Sequence, residues 1–235
     1  MSDIQSEDWR SRTELIIGAR GLARLERSRV MVVGLGGVGA ACVEALARAG
    51  VGALDLVDAD VVAPSNINRQ LIADTTTLGL KKAEVAAARV RAINPQCEAV
   101  AHSVWVDAGN VDALLARAPD YVADAIDSIG SKIELILAAL RAGVPIVSSM
   151  GAGNKLDPTR FRIADISRTH TCPMARAVRT ALRKRGVTGG LTVVFSDEPP
   201  ASQASRPPGS FAPVPPAAGL AMASAILRAL LAGLQ

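Results

Sequence analysis

Val30-Met31-Val32-Val33-Gly34-Leu35-Gly36-Gly37-Val38-Gly39 is the stretch that decides the fold. Four apolar residues run without alternation, as a strand buried on both faces requires. They lead into Gly34-x-Gly36-x-x-Gly39, with Gly37 inside the loop. Such glycines let the backbone turn sharply and approach a phosphate, whose charge is favoured at the N-terminus of the helix that follows. That helix is predicted over 40–49, stopped by Gly50, and a second strand over 54–57 completes the unit. Asp58 ends the second strand, 24 residues after Gly34, where an acid can hydrogen-bond a ribose hydroxyl.

Working outward, the same rhythm continues. Helices are predicted over 82–93, 111–118 and 131–142, and strands over 99–106, 121–126 and 146–149. Alternation of this kind specifies βαβ units, hence an α/β, Rossmann-like, doubly wound and mostly parallel sheet. After Gly151 the pattern loosens into a C-terminal β/α extension, with strands over 161–166 and 191–195 flanking a basic helix over 173–185. Seven of the thirteen prolines fall within 199–216, which marks an extended or mobile loop. A last apolar helix is expected over 217–234; Arg228 and its many alanines favour burial against the sheet over a membrane span. The organisation expected is an N-terminal helical segment (1–29), one nucleotide-binding unit (30–198), the Pro-rich loop (199–216) and the closing helix (217–235) packed on that unit.

Composition narrows the class. Of 235 residues, 49% are hydrophobic and 20% charged, which excludes wholesale disorder. Aromatics are only 3%, so Ala, Val, Leu and Ile must build the core. Residues 1–8 are polar with no apolar run behind them, so a cytoplasmic protein without a signal peptide is expected, with loose membrane association through the last helix left open. Cys42, Cys97 and Cys172 contain no CxxC pair and cannot make a disulfide framework or a four-thiolate zinc site. His102 and His170 lack the spacing of a metal site.

The residues between Asp58 and Lys82 do not suit a dehydrogenase. Asp60, then Asn66-x-Asn68-Arg69-Gln70, then Lys81-Lys82 bring a guanidinium and ammonium groups that a nicotinamide ring does not need. A triphosphate does need them, with carboxylates to hold magnesium. Asp127 follows the fourth strand in Asp124-Ala125-Ile126-Asp127-Ser128, at the sheet edge where doubly wound folds bind ligands. Jointly these positions favour ATP.

In this order and spacing, the phosphate loop, Asp58-x-Asp60, Asn66-x-Asn68-Arg69-Gln70, Lys82 and Asp124-x-x-Asp127-Ser128 resemble the adenylating domain of ubiquitin-activating enzymes and their bacterial relatives ThiF and MoeB. The resemblance implies that Asp58 binds ribose, Arg69 and Lys82 reach phosphate and Asp127 holds Mg2+. It also implies a homodimer in which Arg69, and less securely Arg12, crosses between subunits. Zinc-binding CxxC pairs typical of ThiF and MoeB are missing, and there is no room for a thioester domain. The segments Ser149-Met150-Gly151-Ala152-Gly153-Asn154-Lys155-Leu156-Asp157-Pro158, Cys172-Pro173-Met174-Ala175, Gly209-Ser210-Phe211 and 214–220 are similar to the TcdA (CsdL/YgdL) group. That group comprises tRNA threonylcarbamoyladenosine dehydratases.

The implied reaction is ATP-dependent cyclisation. A threonyl carboxylate on the modified base attacks the α-phosphate, pyrophosphate leaves, and the carbamoyl group closes a ring as AMP departs. Two alternatives remain: adenylation of the C-terminal glycine of a ubiquitin-like sulfur carrier, and a non-catalytic nucleotide-binding scaffold for a sulfur-transfer partner. Between Arg160 and Arg185 eight basic residues face a single acid, Asp165, in a chain of net charge +4. Arg176, Arg179 and Arg183 fall at i, i+3 and i+7 on one helix face, placed either to meet tRNA phosphates or simply to be solvated. Cys172 is a candidate thiolate nucleophile or a packing residue; Cys42 and Cys97 read as packing residues.

Overall fold

A computed structural model describes residues 8–201 and 207–234. The expectation for the first seven residues, and part of that for the Pro-rich loop, lies outside the described residues. Strands β1 (Arg29–Val33), β2 (Ala53–Val57), β3 (Glu98–His102), β4 (Tyr121–Asp124), β5 (Ile146–Ser149), β6 (Phe161–Asp165) and β7 (Thr192–Ser196) form one sheet. Its order is β3-β2-β1-β4-β5-β7-β6. Every neighbouring pair is parallel except β6 with β7. The chain leaves β1 toward one edge and returns through β4 toward the other, so the crevice at their carboxyl ends is where this topology binds ligands.

Helices cover both faces: α1 (Ser11–Glu26), α2 (Gly37–Arg48), α3 (Lys82–Ile93), α4 (Val111–Leu115), α5 (Ile129–Ala142), α6 (Pro173–Arg183) and α7 (Val214–Leu230). The period of the strand divides β1 between two cores. Val30 and Val32 join the cluster with α2, α3 and α7, while Met31 and Val33 join the one with α4, α5 and α6. This is why β1 reads as an unbroken apolar run.

Small residues stand where α7 packs against α2. A Cβ on Gly219 of α7 would lie 2.1 Å from the Val38 carbonyl oxygen of α2. A Cβ on Gly37 would lie 2.8 Å from Cβ of Pro215. The closing helix therefore buttresses the helix that carries the phosphate loop. It begins at Val214, earlier than the 217 expected, because Pro215 and Pro216 fit a first turn whose N–H groups have no helical partner. No described helix is long and apolar enough to cross a membrane.

Other boundaries shift for physical reasons. β3 ends at His102, not at 106: the His102 carbonyl accepts from the Asp58 N–H, and β2 offers nothing beyond to pair with. Val104, Trp105 and Val106 are thereby freed to turn over the carboxyl edge. α2 starts at Gly37, so the helix N-terminus sits directly on the glycine loop. β4 stops at Asp124 and α4 at Leu115. α6 ends at Arg183, with Gly186 in the left-handed region (φ 82°) turning the chain away.

Candidate active site

At the carboxyl edge lies a cavity of about 750 Å³. One wall is the phosphate loop with Asp58, Asp60, Arg69, Gln70, Lys82 and Asp127. Gly34 adopts φ 87°, and a Cβ there would meet the Ala125 carbonyl at 2.7 Å, so the loop and the β4 edge touch backbone to backbone. Gly39 does not line the cavity. A Cβ on it would sit 1.7 Å from the Gly34 carbonyl oxygen, which makes it the glycine that lets helix and strand close on each other.

Asp58 is spent on both sides. Its Oδ2 accepts from the Leu35 N–H at 2.6 Å and its Oδ1 from the Asp60 N–H at 2.8 Å, so it shapes the glycine loop while its outer lone pairs face the cavity. Burial raises its pKa, against the two N–H bonds and the charge of Lys82. Lys82, at the first turn of α3, is 5% exposed and pairs with Asp60 at 2.8 Å. Arg69 is half-buried, its Nη1 donating to the Ser65 carbonyl and to Asn68 Oδ1, each at 2.8 Å. Gln70 is buried with its Oε1 unpartnered.

Asn66 and Asn68, both expected at the ligand, also serve as struts. Asn66 accepts from the Ala63 N–H at 3.0 Å and so caps its own turn, although it still borders the cavity. Asn68 does not line the cavity; its Nδ2 donates to the Ser210 carbonyl at 3.1 Å, tying this loop to the C-terminal segment. Asp127 is exposed at the cavity edge. Arg12 is exposed on α1 and does not reach this chain's cavity.

The opposite wall is formed by Gly151–Lys155, Cys172–Met174, Pro200 and Pro208–Ser210. Asn154 (φ 56°) and Thr171 (φ 60°) hold left-handed conformations on the two loops that build it. Asn154 and Gly209 are laced reciprocally, each N–H donating to an oxygen of the other residue. Lys155 is buried, its Nζ donating to the Glu198 carbonyl, and burial lowers its pKa.

Beneath both walls lies a network the sequence reading did not single out. Lys132 on α5 is fully buried and donates to Asp124 at 2.8 Å, to Ser148 Oγ at 3.2 Å and to the Ser149 carbonyl at 3.0 Å. Ser148 Oγ also donates to Asp124 at 2.5 Å. One ammonium thus pins the ends of β4 and β5, from which the Asp127 and Gly151 loops spring. The available signal was Lys132 in phase with Leu135, Ile136 and Ala139 on the buried face of its helix.

The basic helix divides. α6 buries Ala175, Val178 and Leu182. Arg176 and Arg183 are exposed, but Arg179 turns inward and donates to the Thr169 carbonyl and hydroxyl. The three arginines therefore do not act as one free row. Arg160 and Arg162 pair with Asp197, and Arg185 lies 3.8 Å from Glu134. Among the described residues Arg176, Arg183 and Lys184 form no ion pair.

Burial pushes the Cys42 thiol up to about 12 and Cys97 to about 11, as befits packing residues. Cys172 is buried and faces the cavity from the N-terminus of α6. His102 donates from Nε2 to the buried Asp55 carboxylate at 3.1 Å, and His170 packs edge-on against Phe195.

The model of the ThiF family matches residues 10–233. The chain belongs to this family. A Bacillus subtilis protein named tRNA threonylcarbamoyladenosine dehydratase is 45% identical over 242 residues, 96% of this chain and 95% of that protein. The Escherichia coli protein of the same name is 40% identical over 208 residues, covering 84% of this chain and 78% of that one. A solved structure of the E. coli enzyme, TcdA, in complex with ATP superposes with a TM-score of 0.90 at 35% identity, over 97% of this chain and 96% of that one. The fold of this ThiF-family member, a mostly parallel sheet with helices on both faces, is the one the sequence reading expected.

Proposed function

We propose that this ThiF-family protein is an ATP-dependent tRNA threonylcarbamoyladenosine dehydratase, acting through an acyl-adenylate. The observation that carries the reading is the two-walled cavity: an anion-binding loop with Lys82 and Arg69 on one side, and room for a second reactant on the other. The likeness to the B. subtilis protein over nearly the whole of both chains supports the choice of substrate.

ATP lies with its phosphates at the N-terminus of α2, its ribose against the outer lone pairs of Asp58 and its charge against Arg69 and Lys82. The threonyl carboxylate attacks the α-phosphorus; the bond to the bridging oxygen breaks and pyrophosphate leaves with the electron pair. Carboxylate is a poor acylating group because oxide does not leave, whereas AMP does. A nitrogen or oxygen of the carbamoyl group attacks the acyl carbon, AMP departs with one former carboxylate oxygen, and a proton is lost. The net change is removal of one water from the base.

Arg69 and Lys82 stabilise the charge that gathers on phosphate in the first step. Asp60 holds the Lys82 ammonium in place until the phosphates arrive. Asp127 is the residue that fits Mg2+: one exposed carboxylate at the phosphate edge is the donor set of an ion that keeps water and phosphate ligands. When bound, that ion neutralises phosphate charge. Arg176, Arg183 and Lys184 meet the tRNA backbone. A homodimer is the working form, supported by Leu15 and Ile16, 83% and 84% exposed beside Arg12 on α1.

Nucleoside mass spectrometry of threonylcarbamoylated tRNA tests the reading. Loss of one water, dependent on ATP and abolished in Arg69→Ala, supports it. An unchanged nucleoside, with pyrophosphate exchange driven instead by a sulfur-carrier protein, replaces it.

A further inference from the structure

Among the described residues three cationic side chains border the cavity: Arg69, Lys82 and Lys155. Two stand on the nucleotide wall, and Lys82 already has its carboxylate in Asp60. Lys155 stands across from them, 3% exposed. Its hydrogen bond goes to a neutral backbone carbonyl, that of Glu198. The carboxylates near it are committed elsewhere: Glu198 accepts from the Leu156 and Asp157 N–H groups, and Asp197 pairs with Arg160 and Arg162. Among the described residues Lys155 forms no ion pair. A buried ammonium is costly: burial pulls its pKa down, and Cys172, Glu198 and Asp197, which act in the opposite direction, do not make up the whole of that shift. An anion entering the cavity would remove that cost.

A second group points the same way. Ser210 Oγ is buried, borders the cavity and has no hydrogen-bond partner among the described residues. It is held next to the Lys155 loop by the reciprocal bonds between Asn154 and Gly209. An ammonium and a hydroxyl donor on one wall, facing a triphosphate site on the other, make a subsite for a carboxylate.

We infer that Lys155, with Ser210 as second donor, receives the carboxylate of the acyl substrate and holds it toward the α-phosphate. The inference rests on the proposed reaction for the identity of that carboxylate. It assigns Lys155 two successive duties. Before attack it pairs with the anion. After the oxygen–phosphorus bond forms, it donates to the remaining carbonyl oxygen, which gains negative charge as the carbamoyl group adds.

The test uses a small probe, N-carbamoyl-L-threonine, and its uncharged carboxamide, titrated into the full-length protein holding a non-hydrolysable ATP analogue. Wild type binds the acid in preference to the amide. Lys155→Met, which keeps length and removes charge, weakens acid binding by roughly ten- to a hundredfold and erases the preference. Its affinity for the ATP analogue is unchanged. Lys155→Arg retains the preference, and Ser210→Ala reduces it less than Lys155→Met does. Equal binding of acid and amide by wild type, or an undiminished preference in Lys155→Met, overturns the assignment. Dehydration of modified tRNA by wild type, measured separately, judges the functional reading, so either can fail alone.

Discussion

The two walls of the cavity are built on different principles. The nucleotide wall is largely local in sequence: a glycine loop, a strand-end acid and a helix-start lysine lie between Gly34 and Lys82, with Asp127 joining them from beyond β4. Two of its charges arrive already held, Lys82 by Asp60 and Asp58 by two backbone N–H groups, while Arg69 has only the neutral Ser65 carbonyl and the Asn68 amide oxygen. The opposite wall gathers residues from 151–155, 172–174, 200 and 208–210, and among the described residues Lys155 forms no ion pair there, its hydrogen bond going to the Glu198 carbonyl. The first wall is organised before ATP binds. The second is completed electrostatically by its ligand.

The sharpest way to break this comparison is to damage what both walls share. Gly39→Ala places a Cβ against the Gly34 carbonyl and should cost at least ~3 kcal/mol of stability, abolishing nucleotide binding with it. Urea denaturation of the purified variant checks this. Next, Lys132→Met leaves Asp124 buried and unpaired, costing about 3–5 kcal/mol, and Lys132→Met with Asp124→Leu should regain much of that loss. If the double variant is as unstable as the single one, the ion pair is not what joins the walls.

Other substitutions separate chemistry from folding. Arg69→Ala should lower kcat by about 10²–10³ with the denaturation midpoint nearly unchanged, since its partners are a surface carbonyl and Asn68. Acidification probes the nucleotide wall alone. Because the Asp58 pKa is raised in the folded protein, that state holds its proton more tightly than the unfolded chain. The Asp58 contribution to stability thus grows as pH falls through the raised pKa and is lost as pH rises. The ribose contact proposed for it behaves oppositely. ATP-analogue affinity should fall on acidification from a pH above the ordinary aspartate range, and Asp58→Asn should flatten that part of the profile.

The smallest effect is expected outside the cavity. Arg176→Gln or Arg183→Gln should weaken tRNA binding slightly and lower the salt slope by about one per lost phosphate contact. Arg179→Gln should instead cost stability, because its guanidinium fastens the Thr169 turn. A steeper loss of tRNA affinity in Arg179→Gln than in Arg176→Gln would reverse that division.

Legibility followed the same line. The phosphate loop, Asp58, Lys82 and the mostly parallel sheet could be read because spacing along the chain dictates spacing at one edge of such a sheet. Asn68 was misread as a ligand-facing residue because nothing local says that Ser210, far along the chain, will draw it away. Arg179 lies in phase with Arg176 and Arg183, yet the Thr169 carbonyl captures it. Helical phase names a face, but neighbours decide which way a side chain turns. Lys132 and Lys155 went unassigned for the same reason: a buried ammonium is defined by partners brought together only in the fold. The start of α7 was misplaced by reading its prolines as loop formers, when a helix's first turn accommodates them.

The central claim is that the two walls bring a carboxylate to the α-phosphate of ATP. Isotope transfer tests it most directly. Threonylcarbamoylated tRNA carrying ¹⁸O in the threonyl carboxylate is turned over with ATP, and the nucleotide products are weighed. The account predicts AMP bearing one ¹⁸O and unlabelled pyrophosphate. Label in inorganic phosphate with ADP as the product, or in water with unlabelled AMP, would contradict it.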